Sequence, residues 1–110
     1  MNDILALQKQ ADELSTKICS FCKPLMLSTQ HKNQVHQLLS SEADLRLSIE
    51  LAMEVETKKD CLEKLSLAKE ETEIILYILM QFNEEKINEI SPMKKLAQEI
   101  IGIIAELSKN

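Results

Sequence analysis

The chain is poor in the residues that make turns and sheets. Its 110 residues include one glycine (Gly102), two prolines (Pro24 and Pro92) and three aromatics (Phe21, Tyr77 and Phe82), with no tryptophan. A sheet protein needs a hairpin or loop signal about every 8 to 12 residues, and that supply is missing. A single glycine also excludes a glycine-rich loop cradling phosphates. With so few aromatics, a core must come from Leu, Ile, Met and Ala, which suits helix packed on helix. Arginine is nearly absent: Arg46 stands alone beside twelve lysines, and 18 acids against 13 bases leave a net charge of −5. Broad phosphate binding shows as a basic excess with forked Arg contacts. The net charge therefore disfavours nucleic acid, unless a local patch or a basic partner carries it. The longest apolar run, Ile74 to Met80, is seven residues, far below the ~20 that span a bilayer. Met1-Asn2-Asp3 leads into an amphipathic stretch and not an apolar one, so no signal peptide and no membrane role are expected. Cys19, Cys22 and Cys61 are odd in number and read as free thiols of a cytoplasmic protein.

What is present is helical periodicity. Ile4, Leu7, Ala11, Leu14, Ile18, Phe21 and Leu25 step by three and four, predicting a first helix over Asn2–Cys22 that Pro24 stops. Val35, Leu38, Leu39, Leu45, Ile49, Ala52 and Met53 form a second, capped at Ser28 or Thr29 and ending near Glu54 to Glu56. Ser40, Ser41 and Glu42 interrupt its apolar face, which marks a kink or a polar contact. Thr57-Lys58-Lys59-Asp60 is a variant capping box opening a third helix. Its seam is Cys61, Leu65, Ala68, Thr72, Ile75, Leu79 and Phe82. Residues 83–89 read as the end of that helix and a connection. Ser91-Pro92 signals the start of a fourth helix, carrying Met93, Leu96, Ala97, Ile100, Ile101, Ile103, Ile104 and Leu107. Gly102, costly by about 1 kcal/mol inside a helix, reads as room for a neighbouring helix. Short connections make successive helices antiparallel. The expectation is a single all-α domain over 1–110, an up-down-up-down four-helix bundle.

No motif carries chemistry. Cys19-Ser20-Phe21-Cys22 spells C-x-x-C, but it closes an amphipathic helix and has no second pair to complete a zinc site. His31 and His36 sit five apart, on different helix faces, and no Glu-x-x-His of a di-iron bundle occurs. Glu70, Glu71 and Glu73 point in different directions and do not converge as a catalytic pair would. The expectation is a protein that is not an enzyme, with no catalytic residue, metal or cofactor. Lys58 and Lys59 open the third helix, and Lys94 and Lys95 are placed in the first turn of the fourth. All four are candidate phosphate contacts, although a solubilising lysine is the plainer reading.

One family resemblance emerges. It rests on Gln37-Leu38-Leu39-Ser40-Ser41, Ser48-Ile49, Ala52, Thr57-Lys58-Lys59-Asp60 with Cys61-Leu62-Glu63-Lys64-Leu65, Ala68-Lys69-Glu70-Glu71-Thr72-Glu73 and the closing Gln98-Glu99-Ile100. Over roughly its last two-thirds the chain resembles the four-helix-bundle proteins encoded in intervening sequences of bacterial 23S ribosomal RNA genes. The accessory variability determinants (Avd) of diversity-generating retroelements share that fold. The resemblance implies an antiparallel bundle assembling into a ring-like homopentamer. For retroelement members it also implies binding to a reverse transcriptase and its RNA. Those members are markedly basic and this chain is acidic. Where family members carry an Ala-Asn pair in the second helix, this one has Leu47-Ser48-Ile49-Glu50.

These readings converge on a non-enzymatic, self-assembling binding protein. The alternatives are a nucleic-acid-binding accessory subunit of a reverse transcriptase, and the small helical subunit of an RNA-guided effector complex. The all-apolar run Ile74–Met80 must be covered on more than one side. Leu76, Ile78, Met80, Ile101 and Ile104 are accordingly expected to face a neighbouring subunit.

Overall fold

The computed structural model describes residues 2–82 and 86–109, with side chains from Ile4 onward. Four helices follow in order: α1 (Asn2–Cys22), α2 (Lys32–Glu54), α3 (Lys58–Leu79) and α4 (Ile87–Ser108), with a short 3-10 turn over Lys23–Leu25. No strand occurs among the described residues. The helices form a square in which α1 packs on α2, α2 on α3, α3 on α4 and α4 back on α1. The α2–α3 pairing is the most extensive. The result is an up-down-up-down rod of 44 × 20 × 18 Å.

The core follows the periodicity. Leu7, Leu14 and Ile18 of α1 meet Leu38 and Leu45 of α2, Leu65 and Ile75 of α3, and Met93, Ile100 and Ile104 of α4 in one continuous cluster. Each fully buried aliphatic side chain contributes about 1.5–3 kcal/mol. Thr72 sits at the heart of this core, satisfied by its own helix: Oγ1 donates to the Ala68 carbonyl at 2.7 Å. The capping box is formed as expected, with the Asp60 amide donating to Thr57 Oγ1 at 3.1 Å.

Two helix starts differ from the sequence expectation. α2 begins at Lys32 and not at Ser28 or Thr29, with His31 at its N-cap position and no side-chain cap bond. Its first turn is set by the Val35 amide bonding the His31 carbonyl at 2.9 Å. The His31 ring packs on Phe82, centroids 5.2 Å apart, and Phe82 meets Phe21 edge-on at 5.1 Å. That aromatic contact holds the chain's entry into α2, so the cap residues upstream are left in the turn. α4 begins at Ile87, a turn before Ser91-Pro92, and contains Pro92. Ile90 explains the shift: it lies on the same stripe as Met93 and Ala97 and is buried. Its burial offsets the backbone bond that Pro92 cannot donate. The connection expected over 83–89 falls partly on 83–85, outside the described residues. Gly102 also departs from expectation, for it is exposed and a Cβ there would meet nothing within 4 Å. It makes no room for a helix of its own bundle.

Candidate interaction surface

The interruption in α2 is a polar contact. Glu42 is buried at 4% exposure, and its carboxylate accepts from the Ser15 hydroxyl of α1 and from Arg46 Nε one turn along α2. A buried carboxylate without partners would cost several kcal/mol, so the three residues form one unit that ties α1 to α2. Arg46, half exposed, is held above its ordinary pKa chiefly by its hydrogen bond to Glu42 and by that residue's charge. Cys22 lies close by. Burial, then the neighbouring Cys19 and Glu42, push its thiol from 9.0 up to about 11. Such a thiol stays protonated and is a poor nucleophile. A catalytic acid needs an open side toward a substrate, and Glu42 has none. The cluster reads as a structural lock.

The remaining polar candidates stay apart. Cys19 is exposed and Cys61 half-buried. His31 is engaged with Phe82 while His36 is exposed. Among the described residues no group of three or more His, Cys, Asp or Glu could hold a metal, and no helix is long and apolar enough to cross a membrane. Lys58 and Lys59 are exposed in the first turn of α3. Lys94 and Lys95 are not in the first turn of α4, since that helix starts earlier than expected. Lys94 lies beside Leu79 and Met80, at the far end of α3 from Lys58. The two pairs are thus separated by most of that helix, about 30 Å at 1.5 Å per residue. They do not form one phosphate-binding rim.

The apolar candidates divide. Ile78 and Ile104 are 2% and 1% exposed, inside the bundle's own core, so they offer no surface to a neighbour. The wide stripe on α4 is consumed by packing on both α1 and α3, which a square bundle requires of every helix. Leu76 and Ile101 are half-buried and Met80 is exposed. The side chains that remain outside lie elsewhere: Leu67, Ile74 and Tyr77 along one side of α3, with Leu47 on α2. Ile74 and Tyr77 overhang a groove of about 510 Å³ between α2 and α3, floored by Ile78 and walled by His36, Gln37, Ser40 and Ser41. Acids border it. Glu71 is held above the usual carboxylate range by burial first and then by the charges of Asp44 and Glu70. This side of the rod is both apolar and negative.

A second feature escaped the periodicity analysis, though its signal was in the sequence. No acid occurs between Glu13 and Glu42, in a chain with 18 of them. That stretch contains Lys17, Lys23 and Lys32, and it includes the α1–α2 connection. There the Met26 amide bonds the Lys23 carbonyl and the Ser28 amide bonds the Leu25 carbonyl, at 3.4 and 3.0 Å. The turn thereby holds Met26 and Leu27 outward, Leu27 at 97% exposure. A charge census by segment would have flagged it.

Comparison with known proteins bears on the fold. The chain matches a crystal structure of a protein of unknown function from the S23 ribosomal protein family of Bacteroides thetaiotaomicron, with a TM-score of 0.85. The match covers 98% of this chain and 99% of that one at 18% sequence identity. The two therefore share an all-helical four-helix fold along their whole length. No protein-family model and no curated protein matches the sequence.

Proposed function

We propose that this is a non-enzymatic, cytoplasmic assembly protein that binds copies of itself along the outer side of α2 and α3. The observation that carries the reading is the placement of Leu47, Leu67, Ile74 and Tyr77 outside the core on that side, while the polar residues capable of chemistry are scattered or locked. Area supports a lateral contact. A standard interface takes about 800 Å² from each partner, which a 44 × 20 Å side of the rod can supply and its 20 × 18 Å end cannot. The fold shared with the S23-family protein agrees with the intervening-sequence resemblance, from which the ring-like homopentamer is the expected assembly.

Size-exclusion chromatography with light scattering, recorded at 260 and 280 nm, tests this. A native mass near five subunits is the expected result, and a monomer at all concentrations would refute it. The protein has one Tyr and no Trp, so copurifying nucleic acid would dominate the absorbance. That outcome would favour the accessory-subunit reading, for which the separated lysine pairs supply no common surface.

A further inference from the structure

The acid-free turn and the acid-bordered groove are complementary, and we infer that in the assembly the Met26–Leu27 turn of one copy docks into the α2–α3 groove beneath Ile74 and Tyr77 of another. This rests on the self-assembly reading above and specifies its contact. Three properties match. In shape, Leu27 is a projecting side chain on a hydrogen-bonded turn, and the groove is an open concavity of about 510 Å³. A cavity of 150 Å³ already accommodates benzene, so a leucine and part of its neighbour fit. In polarity, the groove presents an Ile78 floor and an Ile74–Tyr77 rim to the two apolar side chains. In charge, Lys23 and Lys32 flank the turn with no acid nearby in the chain, while Asp44, Glu70 and Glu71 stand beside the groove.

The charge match also decides between modes of association. Two α2–α3 sides placed face to face would bring six carboxylates together, three from each copy, and like charges at an interface are strongly penalised. Turn into groove pairs unlike charges instead. Donor and acceptor surfaces differ, so each copy uses one of each. Such a contact closes as a reciprocal dimer or as a ring, according to its rotation.

Two substitutions at exposed sites separate the halves of the contact. Leu27→Glu makes the turn acidic and leaves the groove intact; Ile74→Lys charges the groove and leaves the turn intact. Neither residue belongs to the buried core, and circular dichroism is expected to show unchanged helicity in both. By sedimentation velocity, each variant alone should associate about tenfold or more weakly than the unmodified protein, and higher salt should weaken the unmodified protein too. An equimolar mixture of the variants should regain association, because one carries a sound groove and the other a sound turn. A mixture that stays monomeric, or variants that associate like the unmodified protein, would overturn the contact. In the second case the assembly reading itself survives. A monomeric unmodified protein would overturn both, and would leave the groove to a basic apolar segment of some other protein.

Discussion

At the residue scale, Glu42 concentrates the risk in this fold. Its carboxylate is buried and stays tolerable only through Ser15 and Arg46. Arg46→Met should destabilise the bundle by about 1–3 kcal/mol in urea unfolding, because a buried charge is left underserved. Glu42→Met should cost less, since an apolar side chain of similar volume leaves nothing orphaned but an exposed arginine. Equal losses would mean that the charge is better solvated than its 4% exposure implies. Cys22 adds a pH dependence of definite sign. Its folded pKa, about 11, lies above the ordinary 9.0, so the folded state keeps a proton that the unfolded chain gives up. Its contribution is therefore intact below pH 9 and is lost as the pH rises toward 11. Stability measured across that window should fall, and should fall less in Cys22→Ala. At pH 8, iodoacetamide should label Cys19 first and Cys22 only on unfolding, in keeping with their exposure. Glu71 works in the same sense at lower pH: raised by burial and by neighbouring acids, it opposes folding once ionised. Glu71→Gln should raise the melting temperature at pH 7, with the gain vanishing below about pH 4, where carboxylates are protonated.

At the scale of elements, most of the fold was legible because a three-four spacing is a direct image of a buried helical face. α1, the end of α2 and the start of α3 fall where spacing and the Thr57 box put them. The misses share one cause: local signals were overridden by tertiary contact. Ser28 and Thr29 are good caps on their own, but His31 on Phe82 decided the entry to α2. Ser91-Pro92 is a good start, but the burial of Ile90 drew α4 back by a turn. The interface candidates failed similarly, since a helix with two packed neighbours needs a wide apolar stripe for its own bundle, and Ile78 and Ile104 belong to that stripe. Two substitutions check this level. Thr57→Ala should cost about 1 kcal/mol through the lost cap. Gly102→Ala should stabilise by about 0.5–1 kcal/mol, because the new methyl enters open space on an exposed helix. A loss of stability instead, accompanied by a lower native mass, would show that a neighbouring subunit approaches the glycine closely.

At the scale of the molecule, an acidic chain conceals an uneven surface: a basic, acid-free end with a projecting Leu27, and a flank where apolar side chains stand among carboxylates. Composition alone averaged these away, which is why the net charge spoke against anionic partners without identifying what the charges are for. The square arrangement has a consequence for how the protein is made. The turn at 55–57 brings α2 and α3 together after closing a very short loop, so this hairpin can form within microseconds of emerging. α1, by contrast, completes its buried face only against α4, which the ribosome delivers last. For most of synthesis Leu7, Leu14 and Ile18 have half their eventual cover, and the first helix made is among the last to be finished.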